Sequence, residues 1–198
     1  MSFDLVNIEC YDVFKKELKE IGVEQVFLFK KILKKEDFLM DLNLKNNNSS
    51  KIFLLEDINL VNFSPSNSLL LFKAEKSSDL FLAIKNKKIK AIVHPIGNDL
   101  IFDEASANLL KENNKPVIFN YAEFKKNTYK SIKQSQFIID LLLKKQIPFF
   151  FLSFAEKKND IIQPIILENF LKNFNLNAEF IKKQMQKETF EKTCLNKK

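Results

Sequence analysis

The feature that most constrains this chain is a repeated alternation of short apolar runs with stretches of helical spacing. "FDLVNI", "VEQVFLFKK", "KIFLLE", "SLLLFKA", "IKAIVHP", "KPVIFNY" and "IPFFFLSFA" read as strands, and "INLVNF" is a further strand candidate. Between them lie the amphipathic segments "YDVFKKELKEIG", "KEDFLMDLNLK", "SSDLFLAIKNKK" and "FDEASANLLKENN", then a long helix over residues 128–146. "QPIILENFLKNF" and "NAEFIKKQMQKETFEK" close the series as two more helices. Strands alternating with helices imply βα units and a largely parallel sheet. Runs such as "FFFL" and "LLLF" have no polar face, as expected where a strand is buried on both sides. Seven or eight strands in 198 residues fit an α/β fold of the small TIM-like (β/α) barrel type, with loops trimmed below the usual ~250-residue size.

Local signals set several boundaries. Val13, Phe14, Leu18 and Ile21 share one helical face, and Gly22 is placed to stop that helix. Ser77 or Ser78 is expected to cap the helix that Asp79 opens, and Asp103 to cap the next. Pro95 ends its strand, and Pro164 suits a first helical turn. No repeat or Gly/Pro-rich linker divides the sequence, so residues 1–186 are read as one barrel domain. Residues 187–198 are read as a basic C-terminal tail whose end, "CLNKK", is frayed.

Charge is distributed unevenly. Residues 1–114 carry 16 Lys against 17 acids, whereas residues 115–198 carry 16 Lys against 8 acids. The whole excess of +7 therefore lies in the C-terminal part, which predicts one basic side. All 32 basic residues are lysine. Without a guanidinium, any phosphate recognition rests on ammonium point charges, backbone N–H groups and hydroxyls. The first residues have an acid at Asp4 and no basic leader segment, and no apolar run approaches the ~20 residues of a membrane span. A cytoplasmic protein is expected.

Most enzymatic chemistry is excluded by inventory. His94 is the single histidine and the chain has two glycines, so a metallohydrolase centre of several His and Asp ligands cannot be assembled. No P-loop, GxGxxG or GxSxG is present. Asp4, Glu56 and Asp57 near strands leave a carboxylate Mg²⁺ site as a minor alternative. Cys10 and Cys194 lie far apart with no ligand spacing and read as structural thiols.

The segment "IKAIVHP", followed by "LIFDEASANLLKENN" and "KPVIFNYAEF", resembles the ribonuclease P protein component 3 family, the archaeal relatives of the eukaryotic ribonuclease P and MRP barrel subunit. "QIPFFFLSFA" is similar to that family's "SgA" strand, keeping Ser153 and Ala155 but placing Phe154 at the glycine. "IIQPIILENFLKNFNLNAEFIKKQM" resembles its terminal segment, and "FDLVNI" its first strand, "fvDl". The resemblance spans roughly residues 3–186 and implies a TIM-like barrel of polymerase-and-histidinol-phosphatase-like topology without a metal centre. It implies a non-catalytic subunit of the ribonucleoprotein that removes the 5′ leader of precursor tRNA. The partners implied are ribonuclease P RNA, a Pop5-like protein component 2, the other protein subunits and, in the holoenzyme, precursor tRNA. Chemistry would belong to Mg²⁺ at the RNA, with no cofactor held by the protein.

On that reading the RNA-binding candidates are Lys125, Lys126, Lys130 and Lys133 after one strand, and Lys157 and Lys158 after the next. Both groups follow strand C-termini and so share a rim. Tyr129 could stack on a base or pack the helix start, and Asn127 and Thr128 could bond sugar or phosphate. His94 and Ser153, at strand ends on the same rim, are assigned a local structural or RNA-proximal role. Lys85, Lys87, Lys88 and Lys90 precede a strand and fall at the opposite rim, read as solvated or as partner contacts. A small phosphate-binding barrel enzyme and an RNA-independent scaffold remain the alternatives.

Overall fold

The computed structural model describes residues 3–21, 23, 25–38, 51–94, 102–124, 129–161, 163–184 and 186–195. The apolar runs form seven strands: β1 (Phe3–Asn7), β2 (Gln25–Ile32), β3 (Lys51–Leu55), β4 (Ser68–Lys73), β5 (Ile89–His94), β6 (Val117–Asn120) and β7 (Phe149–Leu152). They pair in sequence order, every neighbouring pair parallel. Eight α-helices accompany them among the described residues. These are α1 (Tyr11–Glu20), α2 (Ser77–Lys85), α3 (Glu104–Glu112), α4 (Tyr121–Phe124), α5 (Tyr129–Lys145), α6 (Pro164–Lys172), α7 (Ala178–Gln184) and α8 (Lys187–Phe190).

The two-residue period of the strands sorts side chains into two layers. Phe53, Leu70, Ile92, Phe119 and Phe151 pack with Leu80, Leu110, Ile139 and Leu171 of the helices. Their sequence neighbours Leu54, Leu71, Val93, Ile118 and Phe150 meet one another across the inside of the curled sheet. This is why the strands carry no polar face, and it confirms the α/β, TIM-like reading.

The curl is fastened at one place. β1 and β7 meet through a single parallel bridge, Val6 to Ala155, with the Asn7 N–H donating to the Ala155 carbonyl at 2.9 Å. Just before it, Asp4 accepts from the Ser153 N–H at 2.8 Å and from the Ser153 hydroxyl at 2.5 Å. Both residues are buried. A side chain thus supplies the acceptor that a neighbouring strand's carbonyl would otherwise provide, and the seam leaves this N–H satisfied.

Next to the seam, Phe154 has φ = 47°, the left-handed region that favours glycine. The ring offsets that cost by burial. Phe154 is 3% exposed and meets Phe29 edge-on at 5.3 Å inside the sheet, where an aromatic side chain contributes roughly 1.5–3 kcal/mol.

Several expectations are corrected. "INLVNF" is a 3-10 segment (Ile58–Phe63), not a strand. β3 and β4 already pair directly and in parallel, so the residues between them must form a crossover. Asp57 starts that segment by accepting from the Asn59 N–H at 2.9 Å. The residue capping α2 is Lys76 with no side-chain bond, not Ser77 or Ser78; the Ser78 hydroxyl lies 3.3 Å from Asp79 instead. Asp103 does cap α3, reciprocally with Ser106. Val13 is exposed, while Phe14 and Leu18 hold α1 to the sheet.

The final helix is broken into α7, α8 and a π turn (Glu191–Leu195). That break turns Phe190 and Cys194 into the interior of the sheet, where Phe190 contacts Phe27 and Phe150 at 5.5 and 5.3 Å. Within the segment expected to be a tail, Phe190 and Cys194 are buried. Gly22, Pro95, Lys125 to Thr128 and most of "KEDFLMDLNLK" lie outside the described residues.

Two stability outcomes follow. Asp4→Ala strands the Ser153 donors in the buried seam and should cost roughly 1–3 kcal/mol in urea unfolding, whereas Asp4→Asn, which keeps an acceptor, should cost less. Equal losses would show that the seam does not depend on this acceptor. Phe154→Ala should be about 1 kcal/mol more damaging than Phe154→Gly, because only glycine relieves the left-handed backbone. A glycine variant no better than the alanine one would remove the strain argument.

Candidate nucleic-acid interface

The C-terminal ends of the strands, where barrel enzymes build their active sites, form a concavity of about 210 Å³ lined by Lys31, Glu56, Lys73, Asn120, Glu123 and Phe154 among others. Four of its charged side chains form linked ion pairs. Lys31 lies 3.0 Å from Glu56, and Lys73 lies 2.5 Å from Glu123 and 4.0 Å from Glu56. Burial works against the Lys73 ammonium, but the Glu123 hydrogen bond and the charges of Glu123 and Glu56 outweigh it and raise its pKa. Glu56 and Glu123 thus each face an ammonium, and Asp160, on the same lining, accepts from the Lys157 N–H at 2.9 Å. Among the described residues no group of three or more His, Cys, Asp or Glu could hold a metal ion. The Phe154 ring lines the same concavity, and the interior beneath is filled by Phe29, Leu71 and Phe150.

His94 faces the other way. It pairs in register with Phe119 and lies in the layer between sheet and helices, edge-on to Phe102 and Phe119 at 5.1 Å each. The side chain is 3% exposed, Nδ1 has no hydrogen-bond partner, and burial pushes its pKa down to about 3. A neutral imidazole enclosed by two phenyl rings is a packing residue. It offers neither a proton nor a charge to a ligand at neutral pH. Ser153 is likewise enclosed, its hydroxyl held by Asp4. For both residues the surroundings support the local structural role rather than surface contact.

The lysine candidates stand differently. Lys133 is exposed on α5, and Lys157 is exposed after β7, where its N–H donates to Asp160 at 2.9 Å. Tyr129 and Lys130 lie in the first turn of α5, and Lys158 opens a 3-10 turn (Lys158–Asp160). Lys125 and Lys126 precede α5, outside the described residues. The chain path therefore brings α5's start and the segment after β7 to neighbouring strand ends on one rim, since β6 and β7 are paired.

Sequence reasoning passed over Lys31, Lys73 and Glu123. Their shared signal was position: Lys31 and Lys73 lie at the ends of β2 and β4 and Glu123 follows β6, which only the pairing order places around one mouth. Among the described residues, no helix is long and apolar enough to cross a membrane.

Fold and site define a class of molecule: a curled parallel α/β sheet with linked ion pairs at the C-terminal ends of its strands. No family model matches the sequence, and no curated protein matches it. Among solved structures the chain is similar to one in a cryo-EM structure of an archaeal ribonuclease P with mature tRNA. That match has a TM-score of 0.77 at 18% identity, covering 97% of this chain and 89% of that one. It is also similar to the crystal structure of an uncharacterized protein, with a TM-score of 0.58 at 10% identity, covering 85% of this chain and 48% of that one.

His94 gives a pH-dependent outcome with a defined sign. Folded His94 stays neutral to about pH 3, whereas the unfolded side chain protonates near 6.5. The unfolded chain binds the extra proton between these values, so stability present above 6.5 is lost as the pH falls toward 3. His94→Leu should show a smaller difference in urea midpoint between about pH 4.5 and about pH 7.5 than the wild type. An unchanged difference would mean that His94 is not enclosed as described.

Proposed function

We propose that this chain is a protein subunit of a ribonuclease P, the ribonucleoprotein that removes the 5′ leader of precursor tRNA. The observation that carries the reading is the fold similarity to a chain of an archaeal ribonuclease P over nearly the whole length of both. The mouth supports it from the chemical side. Its two lysines are paired with Glu56 and Glu123, its floor is aromatic, and the one imidazole points into the helix layer.

On this reading the protein contributes surface rather than chemistry. The RNA would hold Mg²⁺ and perform cleavage, and this barrel, paired with a Pop5-like protein component 2 and alongside the other protein subunits, would brace the RNA's catalytic domain. Lys125, Lys126, Lys130, Lys133, Lys157 and Lys158 would neutralise backbone phosphates along the rim after β6 and β7, releasing counterions. Tyr129 would stack on an unpaired base or pack the helix start. His94 and Ser153 would hold the rim's shape from within. A cytoplasmic location accords with tRNA processing.

Two measurements test this. A tagged full-length chain should co-purify with a structured RNA and a small second protein; a bound small molecule or the protein alone would overturn the reading. Changing Lys125, Lys126, Lys130 and Lys133 together to Ala should lower the slope of log affinity against log salt by about one unit per lost phosphate contact. An unchanged slope would move the RNA surface away from this rim.

A further inference from the structure

The rim opposite the mouth carries a second concentration of charge. A concavity of about 140 Å³ is lined by Lys85, Lys87, Ile89, Lys90, Asn113 and Lys115, with no acidic residue in its lining. It lies between the C-terminal ends of α2 and α3 and the starts of β5 and β6. The lysines are presented by a locked turn. The Asn86 side chain accepts from the Lys88 N–H at 3.0 Å, and the Ile89 N–H donates to the Asn86 carbonyl at 3.2 Å. Lys115 is buried beneath it, its ammonium donating to the Asn86 carbonyl at 2.6 Å and to that of Ile89. Lys85 and Lys87 are exposed, and Lys90 is half-buried.

Cations beside helix C-termini have an ordinary explanation, since each terminus carries roughly half a negative charge. Two such ends, those of α2 and α3, offset about one charge, and beside the carbonyl-bound Lys115 three further ammonium groups, those of Lys85, Lys87 and Lys90, line the concavity. The surplus is repulsive in the isolated protein and is relieved by an anion. A protein partner is disfavoured by the lining itself, because its one apolar residue, Ile89, is fully buried and offers no anchor for an interface core.

We infer that the turn of Lys85, Lys87 and Lys90 over the buried Lys115 is a second RNA-binding site, taking backbone phosphates on the rim opposite the mouth. The identity of the polyanion rests on the ribonuclease P reading; the single sign of the charge does not. An RNA held at both rims would pass along the side of the barrel, and the two sites would contribute separately to the salt dependence.

The test uses the full-length chain and an in vitro transcript of the catalytic RNA of an archaeal ribonuclease P. Lys85→Ala, Lys87→Ala and Lys90→Ala are combined, leaving Lys115 to hold the turn. The triple variant should lower the salt slope by about two to three units, while Lys85→Arg, Lys87→Arg and Lys90→Arg together should keep it. An unchanged slope in the alanine variant, with RNA still bound, overturns this site alone. A wild-type chain that binds no RNA overturns it together with the subunit reading. Binding of poly-glutamate, but not of RNA, that is lost in the triple variant would assign the surface to an acidic protein and also overturn it. Unaltered thermal unfolding of the triple variant shows that a lost slope does not come from a lost fold.

Discussion

The structure depends on one buried acceptor. A sheet of seven parallel strands has two edges, and an unpaired edge is a template for association. Here the edges meet at Asp4 and Ser153, 149 residues apart, with one bridge beyond them at Val6 and Ala155. The two hydrogen bonds are made away from water, where removing an acceptor costs more than the bond is worth in solution. Joining the edges there fixes the arrangement of the strand ends, and with it the mouth and the rims.

The interior of the curled sheet is filled by the chain's own side chains. The backbone after β7 turns through a left-handed residue, and the chain places Phe154 there. Its ring enters the interior and lines the mouth. Phe190 and Cys194 return from the end of the described chain to occupy the same interior. Above them Lys31, Glu56, Lys73 and Glu123 form a linked set of ion pairs. A partly buried network of this kind is retained at little net gain in stability, and here it also fills the position at which a barrel enzyme binds its substrate.

Cationic surface is consequently left to the rims. The C-terminal lysine excess does not gather only after β6 and β7. Lys144, Lys145 and Lys172 lie in the last turns of α5 and α6, and two of them are matched, Lys145 to Glu104 and Lys172 to Glu168. The concavity around Lys87 has no such matching acid in its lining. The segments after β6 and β7 and the turn around Lys87 lie at opposite ends of the sheet, because a parallel βα fold sends alternate connections to opposite ends.

The sequence by itself determined the order and type of nearly every element, since apolar runs without a polar face and capped amphipathic stretches are local signals. Asp103, Pro164 and the run "FFFL" needed no partner to be legible. It also limited which residue types any site could use, because there are one histidine and two glycines. Tertiary structure alone decided that "INLVNF" is a crossover, that Asp4 is the seam's acceptor rather than a metal ligand, and that His94 turns toward the helices. Each of those depends on which strand lies beside which, and on a one-residue parity within a strand that moves a side chain from one face of the sheet to the other. Composition carries neither, and only closure of the sheet fixes both.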